Sequence, residues 1–144
     1  MKENLVITFL LISFLSVQAQ ERSTKGADNG YAWNSMSNPL IIFDDSKYNY
    51  LGGILQQYSL LKQNFPEVEK LGCGDEVGAL QMLNKSDEIS LDDMVTAIDK
   101  FYRNPENLRI PVIFAYCYCI KQKAGLSKKE LADYRNELLM FSDE

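Results

Sequence analysis

Pro111-Val112-Ile113-Phe114-Ala115-Tyr116-Cys117-Tyr118-Cys119-Ile120-Lys121-Gln122-Lys123-Ala124-Gly125 is the stretch that decides the fold. Proline suits the first turn of a helix, where its missing N–H costs nothing. From Val112 to Ile120 the chain is apolar on nearly every side. A helix hydrophobic all round belongs in the middle of a structure. Lys121 and Lys123 place positive charge at the end that the helix dipole favours, and Gly125 is a natural terminator. A central helix needs others around it.

The flanking segments supply them. Ser127 and Glu130 have the spacing of a capping box, with Leu126 and Leu131 as a hydrophobic staple. Leu131, Tyr134, Leu138 and Phe141 then form one apolar stripe. Ser90 and Asp93 repeat the device, with Ile89 and Met94 in the staple positions. Leu91, Met94, Val95, Ile98, Phe101 and Tyr102 make that inner face, and Asn104-Pro105 stops it. Further upstream, Asp44, Asp45 and Ser46 are start signals. Tyr48, Leu51, Ile54, Leu55, Tyr58, Leu61 and Phe65 follow at threes and fours, until Pro66 ends or interrupts the run. Gly52-Gly53 inside it costs roughly 1 kcal/mol per glycine, which predicts close approach of another helix there. Leu71 to Gly74 is a turn, and Asp75 caps a short helix carrying Val77, Leu80 and Leu83. The fold class is therefore all-α: a small compact bundle of four main helices plus a short one, over residues 44–144.

The N-terminus reads as an address. Lys2 precedes an apolar run from Leu5 to Leu15. That is short of the ~20 residues a span needs and fits a signal-peptide core. Val17-Gln18-Ala19 gives a cleavage site after Ala19, with an uncleaved anchor as the alternative. Removing 19 residues from 144 leaves 125. Residues 20–43 then form an N-terminal arm, flexible or docked. Its Leu40 to Phe43 suits either a short strand or a buried extended segment. Export places the chain in the periplasm or outside the cell, where cysteines pair.

Composition removes several chemistries. Histidine is absent, which excludes Ser-His-Asp and Cys-His nucleophile systems and histidine-bearing zinc sites. A net charge of −5 argues against nucleic acid, which needs a basic footprint. No Gly-rich phosphate loop appears, and no cofactor is implied. Ile89 to Asp93 resembles the second half of an EF-hand loop, but that register puts Met82 at the first ligand position and Asp93 in place of the bidentate glutamate. The acid pairs Asp44/Asp45, Asp87/Glu88 and Asp92/Asp93 fall at loops and helix starts, where acids belong for local reasons.

Three cysteines remain: Cys73, Cys117 and Cys119. Cys117 and Cys119 project about 200° apart on a helix and cannot pair with each other. One of the two bridges to Cys73, leaving a spare. Most aromatics fall on inner faces. Tyr31, Trp33, Tyr48 and Tyr50 lie beside the arm and at a helix start. With the acidic Asp87 and Glu88 they are the partner-binding candidates, since Tyr and Trp are favoured at protein contacts.

The order Tyr50-Leu51-Gly52-Gly53, Cys73, Ile89-Ser90, Phe101-Tyr102, Asn104-Pro105-Glu106-Asn107-Leu108 and Pro111 before an apolar cysteine-bearing helix resembles the Tai-type immunity proteins. These are small periplasmic helical proteins that neutralise amidase toxins of the type VI secretion system. The similarity spans about residues 48–122. It implies a helical, disulfide-bearing fold, a homodimer, no enzymatic activity, and a protein partner that is a secreted cell-wall amidase blocked at its groove. Tyr50, Gly52, Cys73, Pro105 and Pro111 match structural positions only, so the resemblance transfers no contact residue. The chain departs from the pattern in its helix after Gly125 and its Cys-Tyr-Cys. A loose arm and a spare cysteine would also suit a periplasmic chaperone-like module or an envelope-complex subunit.

Overall fold

The computed structural model describes residues 22–37, 44–74 and 89–144. The segment expected as a signal peptide, the Leu40–Phe43 stretch, residues 77–83, expected as a short helix, and Asp87 and Glu88 lie outside the described residues.

The decisive stretch is helix α6, Val112–Lys123, and it is buried from Val112 to Cys117 and again at Cys119 and Ile120. Pro111 stands at its N-cap. Gly125, at φ +89°, closes it as the sequence predicts. The Leu126 N–H donates to the Lys121 carbonyl and the Gly125 N–H to the Gln122 carbonyl. That pair of bonds is a Schellman motif, which needs a left-handed residue where the glycine stands.

Helix α5, Leu91–Phe101, and helix α7, Lys128–Asp143, lie against α6. Both capping boxes form. Ser90 accepts from the Asp93 N–H while the Asp93 carboxylate accepts from the Ser90 N–H, and Ser127 and Glu130 do the same. Between α5 and α6, Pro105–Arg109 is a single 3₁₀ helix capped by Asn104.

The first long helix is divided. The apolar run from Tyr48 to Phe65 forms α2, Ser46–Gln56, and α3, Tyr58–Asn64, which break at Gln57. A further short helix, α4, Glu67–Leu71, follows Pro66. The Ser46 N–H bonds to Asp44 Oδ1, so Asp44, not Asp45, supplies the side-chain oxygen at this helix start. The glycine expectation also changes. A Cβ on Gly53 would meet nothing within 4 Å, and one on Gly52 would lie 3.7 Å from Leu91 Cδ2, an ordinary contact. Among the described residues no helix comes close enough to require either glycine.

Residues 22–37, expected as part of a flexible or docked arm, are docked and belong to the helical body. Ser23–Thr24 and Ala27–Asp28 form strands β1 and β2 of a small hairpin. Its turn passes through Lys25 and Gly26, both at positive φ. Asn29 then caps helix α1, Gly30–Ser35, by accepting from the Tyr31 and Ala32 N–H groups. Gly30 is required. A Cβ there would lie 2.5 Å from the Tyr102 ring and 2.9 Å from the Leu108 Cα.

One disulfide, Cys73–Cys117, joins the turn after α4 to the middle of α6. It resolves the pairing left open by the sequence, and Cys119 is the free, buried thiol. Closing a loop of 44 residues is worth roughly 3–4 kcal/mol in the chain-entropy model. The result is a compact helical fold with one small hairpin. No described helix is long and apolar enough to cross a membrane.

Candidate functional site

The four aromatic candidates separate into three environments. Tyr31 on α1 and Tyr48 on α2 are exposed, at 37% and 42%. Trp33 is 0% exposed, so its expected place at an interface is corrected: it is a core side chain. Its indole N–H donates to Asp99 Oδ1 at 2.7 Å, and Lys47 Nζ lies 2.6 Å from the same oxygen. A buried indole needs such an acceptor. The lysine offsets the carboxylate charge that the indole alone would leave.

Tyr50 stands between these extremes. Its ring meets Trp33 edge-on at 6.3 Å, and its hydroxyl donates to Asp28 Oδ2 at 2.7 Å. Burial first, then the hydrogen bond and the charge of Asp28, push the phenol well above its usual ionisation range. It stays a neutral donor and ties α2 to β2.

Below this tie is a groove of about 480 Å³. Lys25 to Asp28 of the hairpin, Tyr50 and Ile54 of α2, Leu61 of α3, and Val112 and Ile113 of α6 line it. Apolar lining with a few polar groups at the rim is the usual make-up of a recognition groove. Asp28 is the residue that sequence reasoning missed here. Beside Asn29-Gly30 it reads as turn chemistry, and only the hairpin brings it to Tyr50.

Asp93 and Cys119 serve structure. Asp93 is exposed, and its hydrogen bonds from Ser90 hold its carboxyl below the usual range. It is an ionised cap. Cys119 is 1% exposed, and burial pushes its thiol up to about 12. Nucleophilic cysteines need the opposite shift. Among the described residues no group of three or more His, Cys, Asp or Glu is placed to hold a metal ion.

No protein-family model, no curated protein and no solved structure matches this chain.

Proposed function

We propose that the protein is an exported, non-catalytic binding protein of the immunity type, which protects the cell by blocking a peptidoglycan amidase toxin. The observation that carries the reading is the exposed pair Tyr31 and Tyr48, on helices linked through the Trp33–Tyr50 contact. Tyrosines fixed on helices give large contact area at low entropy cost, as binding surfaces require. The Cys73–Cys117 bridge supports export, because such bridges persist in oxidising compartments. The ordered sequence motifs supply the immunity class.

The test is co-expression in the periplasm with a candidate secreted peptidoglycan amidase. Protection from lysis is expected, with loss of protection in Tyr31→Ala/Tyr48→Ala. Undiminished lysis with the unaltered protein overturns the reading. The chaperone-like alternative drew on a loose arm and a spare thiol. Residues 22–37 are docked and Cys119 is buried, so neither feature favours it.

A further inference from the structure

Residues 100–135 carry eight Lys or Arg and only three Asp or Glu. That segment is +5 in a chain of −5, so the remaining residues sum to −10. The fold gathers part of this excess around one concavity. A cleft of about 590 Å³ opens between α5, the 3₁₀ helix, α6 and α7, with Lys100, Lys123 and Arg135 in its walls. Asn104 and Gln122 add amide donors, and Tyr118 contributes an aromatic surface. Among the described residues neither Lys100 nor Lys123 has an ion pair within 4.0 Å. Asp93 also lines the cleft; its Oδ2 accepts from the Ser90 N–H and hydroxyl, and its charge is felt by Lys123 at longer range, which leaves Lys100 the less compensated of the two lysines.

Arg135 is held in place. Its Nε donates to Asn107 Oδ1 at 2.7 Å and its Nη2 to Glu106 Oε2 at 2.6 Å. Asn107 is itself buried and donates to the Phe101 carbonyl. This fixes a guanidinium, its charge shared with Glu106, beside two ammonium groups that have no ion pair within 4.0 Å among the described residues, without further ordering cost at the moment of binding.

We propose that this cleft binds an acidic segment of a partner protein, with carboxylates on Lys100 and Lys123 and an apolar or aromatic side chain over Tyr118. The proposal is independent of the partner being an amidase. The cleft is concave, so its wall cations suit an inserted chain better than a flat lipid surface. The −10 carried elsewhere repels an extended polyanion, whereas a short segment senses mainly the local charge within a Debye length of ~10 Å. Electrostatic complementarity of this kind sets orientation and association rate.

The experiment uses the mature, oxidised protein and a fluorescein-labelled peptide of alternating Glu and Tyr, read by anisotropy. Saturable binding that weakens as salt rises is expected. Lys100→Glu/Lys123→Glu should weaken it by about tenfold or more, and Lys100→Arg/Lys123→Arg should keep it. Lys62→Glu/Lys70→Glu, on α3 and α4, changes net charge equally and should have little effect. Three results overturn the proposal: no saturable binding by the unaltered protein, equal weakening in both glutamate pairs, or binding to phosphatidylglycerol vesicles without binding to the peptide.

Discussion

Residues 22–37 and 44–74 both lie against the core built by α5 and α6, but different forces hold them there. The first segment is short, and buried hydrogen bonds fasten it. The Thr24 hydroxyl donates to the Arg109 carbonyl, Asn29 Nδ2 donates to Thr24, and Asn29 bridges Pro111. Gly30 lets its backbone approach Tyr102 and Leu108 closely. The second segment is held by apolar faces, Leu51, Tyr58, Val68 and Leu71 among them, and by a covalent bond at its end. The first segment sends one large side chain, Trp33, into the core and otherwise depends on geometry. The longer one adds apolar area and a covalent tie, although its Gly72 also leaves no room for a Cβ against the Val68 carbonyl.

Removing the tie should have the largest effect. Cys73→Ala/Cys117→Ala is expected to cost about 3–4 kcal/mol in urea unfolding. Hydrogen exchange should show protection lost in 44–74 before 22–37. Simultaneous loss in both would erase the distinction between them.

Gly30→Ala comes next, at about 2–3 kcal/mol in a denaturant titration. Alanine normally improves a helix, so a destabilising sign would show that close approach, not propensity, governs α1. Neutral or improved stability would mean that the Tyr102 contact yields.

Asn29→Ala removes a helix cap and leaves the buried Thr24 hydroxyl without one partner. A loss of about 2 kcal/mol is expected from the two effects together. Asn29→Asp keeps the cap acceptor and should recover about half of that loss, read by the same titration.

Gly53→Ala should give the smallest effect and the opposite sign. Among the described residues nothing lies where the new Cβ would go, so a gain of up to about 1 kcal/mol in thermal unfolding is expected. A loss instead would mean that α2 needs its glycine for a contact outside the described residues.

The helices around the core were legible because their signals are local. Ser90/Asp93, Ser127/Glu130 and Gly125 act on backbone groups within four residues, and each forms as the spacing predicts. The all-round apolar pattern of Val112–Ile120 likewise has one physical solution. Gly30 was not legible. In sequence it looks the same as Gly53, and only the position of Tyr102, far along the chain, separates a required glycine from a tolerated one. The break at Gln57 was hidden for a related reason. The apolar spacing from Tyr48 to Phe65 continues across it, because both helices turn their faces to the same core. Of the candidate surface, Tyr31 and Tyr48 were visible as aromatics beside polar residues. Trp33 carried the same signal and went to the core, where Asp99 and Lys47 from two other helices give its indole a partner.

The spare thiol has one more consequence, for how the chain is oxidised. An oxidant meets three thiols and three ways of joining two of them. Cys117 and Cys119 are neighbours in an unfolded chain and compete almost equally for Cys73. Once α6 has coiled, they leave its axis in different directions, and Cys119 is shut inside with its proton held by burial. The helix thus acts as a proofreader: once it is folded, the Cys117 sulfur faces Cys73 and the Cys119 sulfur does not. Exchange among the three sulfurs therefore settles on the pairing that the folded central helix allows, Cys73 with Cys117.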